Sequence, residues 1–169
     1  MAFILPAPAR AVTLLQVPPA WATARQMVMN NRLGVLRLAH ADYRPGDSGH
    51  DGMHSAVDAL LYITGWRDFS NVRKMGSESV LLAAADTDGG AELRISPVRT
   101  DRPCVMTFRG DRASLTITCG EVYIVPEAGG GLLIDAQGHT PRRAPQTLTS
   151  AGVLPDELRS ITAARSRLV

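Results

Sequence analysis

Two histidines four residues apart, with a carboxylate between them, stand in the stretch His50-Asp51-Gly52-Met53-His54. In an H-E-x-x-H run both imidazoles lie on one helical turn and hold zinc, while the glutamate acts as general base on a metal-bound water. The spacing here matches that pattern and the local composition does not. A helix carrying both histidines would begin before His50 and include Gly49 and Gly52, each costing about 1 kcal/mol against alanine. A helix that starts near Gly52 leaves His50 in the preceding loop and His54 in its first turn. Asp51 is also one methylene shorter than the glutamate it would replace. A third protein ligand is needed for such a site, and Glu78, Glu121 and His139 are the candidates. The wider group His40, Asp42, Asp47, His50, Asp51, His54 and Asp58 could instead fold around one ion as a loop, or His54 and Asp58 could pair at i,i+4. A small metal-dependent hydrolase using His50, Asp51 and His54, with a single divalent ion such as zinc, is thus one expectation. The other is a polar loop running into a helix capped by Asp51.

Further short motifs carry less chemistry. Arg109-Gly110-Asp111 is a tripeptide of the integrin-binding type, but glycine at a hairpin tip explains it. Cys104 and Cys119 flank the same hairpin. If its loop is Gly110 to Ala113 they stand opposite each other; if the turn is only Gly110-Asp111 they are offset by two. Strand alternation puts Cys104, Met106, Phe108, Leu115, Ile117 and Cys119 on one core-facing side, where both cysteines act as small hydrophobes. Gly129-Gly130-Gly131 precedes a strand, whereas a phosphate loop precedes a helix. Trp66, Arg67 and Phe69 lie between a helical region and a sheet, and exposed aromatics beside arginine make contact hot spots.

The elements that would position these residues read as follows. Residues 1–10 are proline-rich and form an extended arm, and 11–17 form a strand. A helical pattern runs from about Ala20 to Leu38, weakened by Gly34. Residues 41–52 are a loop, and a helix follows from Met53 to Thr64, stopped by Gly65. From Ser79 onward three hairpins appear, joined by glycine-bearing turns, in which residues such as Leu93 and Ile95 alternate with polar neighbours. Residues 137–152 are linker-like. The segment 153–169 is a helix with Pro155 in its first turn, acids at its start and arginines at its end. The fold expected is α+β: a helical N-terminal part, an antiparallel meander of about six strands and a C-terminal helix. Residues 1–152 would form a single α+β domain, with 153–169 as an appended helix.

Composition bounds the function classes. The 169 residues are 45% apolar and 20% charged, ordinary for one globular domain, with only 5% aromatics. Seventeen arginines accompany one lysine, yet the net charge is +2 and no basic run appears, which disfavours nucleic acid as a partner. No apolar run is long enough for a membrane span. The start has no basic n-region, and prolines break its apolar residues; a cytoplasmic location is expected. With no complete catalytic constellation and no nucleotide loop, the leading expectation is a non-catalytic interaction protein. It would be a subunit of a larger homo- or hetero-assembly, or a small partner-binding protein of the immunity type. It would work by a protein partner or self-association and need no cofactor. Its contact residues would be Trp66, Arg67, Phe69, Leu158, Ile161 and Arg165.

Overall fold

The computed structural model of the chain describes residues 17–46, 52–76, 80–87, 89–99, 101–128, 131–132, 142–143 and 153–169. The arm at 1–10, all but Val17 of the strand expected at 11–17, His50 and Asp51, and most of the linker-like segment fall outside these residues.

Helix α1 spans Pro19–Met29. Pro19 occupies the first helical position, where a missing N–H costs nothing. The helix ends nine residues before the sequence pattern suggested. Asn31 and Gly34 adopt positive φ of 58° and 76°, which breaks the helix and turns the chain back. The following Leu36–Tyr43 is strand β1, which the sequence reading had divided between a helix and a loop. Its alternation is real: Ala39, Ala41 and Tyr43 are buried, while His40 and Asp42 lie on the other face. Small inward residues and polar outward ones left little hydrophobic signal.

Helix α2, Met53–Thr64, has the limits expected. Gly65 closes it with φ 76° and donates its N–H to Leu61 O at 3.0 Å. Every residue from Ser55 to Thr64 is buried, so this helix is the centre of the molecule. Strand β2, Phe69–Met75, follows as a mostly exposed edge. Hairpin β3, Val80–Ala85, with β4, Ala91–Pro97, and hairpin β5, Val105–Gly110, with β6, Ala113–Thr118, match the sequence reading. Strand β7 is Glu121–Ala128, followed by the short β8, Gly131–Leu132, and β9, Arg142–Arg143. Helix α3 is Pro155–Leu168.

The class is α+β, as expected, but the sheet is mixed. Its strand order is β2-β3-β4-β1-β5-β6-β7-β8, with β9 also on β7. β1 is inserted between the two hairpins, parallel to β4 and antiparallel to β5. A parallel pair requires a long crossover, and here α2, β2 and β3 provide it. One face of the sheet presents Ala39, Ala41, Leu81, Ala83, Leu93, Ile95, Phe108, Leu115 and Ile117 to the helices. The alanines let α2 lie close to the strands beneath it.

Two features lock the frame. Adding a Cβ to Gly110 would bring it to 2.0 Å from Leu33 O, so the β5–β6 hairpin abuts the turn after α1. Asp111 accepts a hydrogen bond from Val35 N at 2.9 Å across the same contact, which gives the Arg-Gly-Asp tripeptide a structural role. On the other side, α3 docks on α2 through Arg165, whose Nη1 donates to Asp58 at 2.9 and 2.7 Å. Asp58 has no exposed surface. Arg25 of α1 hydrogen-bonds Glu157 of α3 and lies 4.4 Å from the ring centroid of Tyr62 in α2, tying all three helices. The hydrogen bond from Arg25 holds the Glu157 carboxyl below its ordinary pKa.

Removing one partner of a buried pair leaves a charge without compensation. Arg165→Met is expected to cost about 3–5 kcal/mol of unfolding free energy, and Asp58→Leu combined with Arg165→Met to recover most of it, measured by urea denaturation. Because Glu157 is depressed in the folded state, its contribution is present above the unfolded carboxyl range and lost as pH falls through the folded value. Glu157→Gln should therefore cost about 0.5–1 kcal/mol near neutrality, with wild type and variant converging in acid.

Candidate functional site

A cavity of about 290 Å³ opens at one end of the sheet. Its walls come from places distant in sequence. The end of β1 contributes Asp42 and, just beyond it, Arg44; the start of β5 contributes Cys104 and Met106; the end of β6 contributes Ile117 and Thr118, followed by Cys119. The first turns of α1 and α2 close it, with Trp21 from one and Ser55 from the other. The N-terminal ends of two helices therefore border one space.

Ser55 is the unusual member. It is the third residue of α2 and 1% exposed, and its Oγ has no hydrogen-bond partner among the described residues. Leaving a buried hydroxyl unpaired costs about 1–3 kcal/mol. Gly52, at the N-cap of α2, offers no side chain to cover the first turn. Asp42 sits across the cavity and accepts a hydrogen bond from Val105 N at 3.1 Å. Its other oxygen is 3.5 Å from His40 Nε2. Burial pushes the His40 imidazole below its ordinary pKa, against the pull of Asp42 and with the push of Arg94. The imidazole beside Asp42 is therefore neutral near pH 7. Arg44 donates to Arg102 O at 2.9 Å, which holds its stem at the rim. The residues lining the cavity thus include a serine, an aspartate, an arginine and a tryptophan.

The residues singled out from sequence are dispersed. His54 is in the first turn of α2, whereas His50 and Asp51 lie outside the described residues. Asp58 is paired with Arg165 at 2.7 Å. No group of three or more metal-type ligands occurs among the described residues. Ile161 is fully buried and Arg165 nearly so, while Leu158, Trp66 and Phe69 pack partly against the core. Arg67 donates to Leu61 O and Trp66 O, each at 2.8 Å, and to Ser160 Oγ at 2.6 Å. The cysteines do stand in the first of the two registers considered, since Arg109 pairs with Ser114 and Val105 with Thr118. Cys119, however, is exposed rather than core-facing. Ser55 was missed because one serine in an apolar helical run carries no sequence signal.

No family profile matches the sequence, and no curated protein matches it. Solved structures do share its fold. A Thermotoga maritima protein described as a candidate oxidoreductase superposes with a TM-score of 0.60 at 18% identity, covering 94% of this chain and 58% of that one. An oxidoreductase domain protein from Kribbella flavida gives 0.58 at 16% identity, covering 94% and 57%. Levoglucosan dehydrogenase in complex with NADH and L-sorbose gives 0.57 at 14% identity, covering 93% and 54%. The chain spans a little over half the length of each. These likenesses overturn the expectation of a non-catalytic interaction protein or assembly subunit, because the fold is one that oxidoreductases carry. The expectation that no cofactor is involved falls with it, since one bearer of the fold is a dehydrogenase solved with NADH. As for membranes, no helix among the described residues is long and apolar enough to cross one.

The unpaired hydroxyl supplies a test of the cavity as a built site. Ser55→Ala should stabilise the ligand-free protein by about 1 kcal/mol, read by chemical denaturation. A destabilised variant would mean that the hydroxyl serves packing instead.

Proposed function

We propose that the chain is the substrate-holding part of an oxidoreductase that moves hydride between a small polyhydroxylated molecule and a nicotinamide dinucleotide. The observation that carries this reading is the cavity beneath the α2 N-terminus, with the unpaired Ser55 hydroxyl, in a fold shared with a sugar-type dehydrogenase. A nicotinamide dinucleotide would supply the hydride chemistry. The described residues do not fit its phosphates. A dinucleotide cradle of the Rossmann kind is a strand, a glycine-rich turn and a helix within a parallel sheet. Here the parallel pair β1 and β4 is connected through α2 and the antiparallel strands β2 and β3, and Gly131 opens a strand. In this reading a domain outside these 169 residues holds the dinucleotide over the cavity.

The chain's own residues would bind and orient the substrate. The Ser55 hydroxyl and the N–H groups of the first turn of α2 hold a substrate oxygen. The Asp42 carboxylate accepts from a substrate hydroxyl and is the base within reach of its proton, with the neutral His40 imidazole behind it. Trp21 offers an apolar surface for a sugar face, and the two helix N-termini favour oxygen-rich ligands over apolar ones.

Calorimetric titration of the purified chain with levoglucosan, L-sorbose and a panel of polyols and sugar acids tests this. Binding by at least one member, weakened about tenfold in Asp42→Asn and in Ser55→Ala, is the expected outcome. No heat from any member of the panel would sink the proposal.

A further inference from the structure

The cavity rim carries a second chemistry that substrate binding does not use. We propose that Cys104 and Cys119 are a dithiol site that closes to an intramolecular disulfide by two-electron oxidation. Four observations converge. The β5–β6 ladder runs in register from Arg109↔Ser114 to Val105↔Thr118, and Cys104 and Cys119 are the next residue beyond that last pair on each strand. The Cα atoms of such a pair are about 4.5–5.5 Å apart, which brings the two flanking cysteines near the span that a disulfide bridges. Both residues carry thiols and both line the cavity. They are the only two cysteines in the chain.

The fourth observation is backbone strain at Cys119. It and Gly120 form the two-residue connection between β6 and β7, with φ of 51° and 75°. Positive φ at both positions is the pattern of a turn that selects asparagine, aspartate or glycine first. A cysteine there breaks the local rule, and such breaks concentrate where a side chain has a task. The conformation presents Cys119 to solvent, while Cys104 remains half-buried behind it.

The reaction is thiol–disulfide exchange with a small-molecule disulfide such as oxidised glutathione. The Cys119 thiolate attacks one sulfur of the oxidant, forming a mixed disulfide and releasing one glutathione thiolate, which takes up a proton. The Cys104 thiolate then attacks the Cys119 sulfur, the mixed disulfide breaks, and the second glutathione leaves as its thiol. The protein loses two protons and two electrons, and the oxidant is reduced to two thiols. The new bond ties the start of β5 to the β6–β7 turn along one cavity wall, so redox state sets the shape of the cavity.

The inference stands independently of what the cavity binds. Native protein is incubated with oxidised glutathione, quenched with iodoacetamide and weighed intact. Wild type is expected to lose two hydrogens, carry no glutathione and gain no alkyl group, while Cys104→Ser accumulates a single glutathione on Cys119 that cannot be resolved. Retention of two alkylatable thiols, a stable glutathione adduct on wild type, or linkage between two chains would each overturn it. Because the decisive mass is that of wild type, the test does not depend on the variant folding.

Discussion

A carboxylate with no access to water has to be compensated, and Asp58 stands in the middle of the most buried helix of the molecule. Its ion pair with Arg165 is the constraint on which much of the remaining structure depends. Charge cannot be left unpaired at that depth without several kcal/mol of penalty. Helix α3 therefore has one acceptable docking position, the one that delivers the guanidinium to Asp58. Ile161, Ala164 and Leu168 are buried on the same helix and add apolar area to that choice. Four residues of this helix, Ile161, Ala164, Arg165 and Leu168, are buried.

Fixing α2 also fixes the cavity. The helix lies over β1 and β4, and its first turn meets the end of the sheet where β1, β5 and β6 finish or begin. The same rigid element that buries Asp58 near its centre thus holds Ser55 unpaired at its start. Stability and site share one helix, and the cost of the unpaired hydroxyl is borne by the packing of the other nine buried residues of Ser55–Thr64.

The central strand connects these parts. β1 carries Ala39 and Ala41 beneath α2 on one face, and His40 and Asp42 on the other. It places Asp42 where it can lean on the Val105 amide and still reach the cavity. The chain matches 58% and 54% of the length of two solved structures of similar fold.

The local elements with strong signals were legible in the residues alone. Met53–Thr64 is bounded by a glycine that must adopt positive φ, Pro155–Leu168 has its proline and charges at the ends that the helix dipole favours, and the paired hairpins alternate with period two. Each depends on interactions within a few residues. Strand β1 was not legible, because its inward side chains are mostly alanine and its outward ones polar, and its partners lie some fifty to seventy residues away. The edge strand β2 was hidden for the related reason that it buries almost nothing. The candidate site was the least visible part. Asp42, Ser55, Cys104 and Cys119 belong to four separate segments, and no spacing rule links them. Composition and periodicity determined which helices and hairpins form. Only tertiary packing decided that a strand would insert between the hairpins, that Asp58 would find Arg165, and that a serine in an apolar run would be buried without a partner beside a cavity, because each of these is set by long-range contacts that no local pattern encodes.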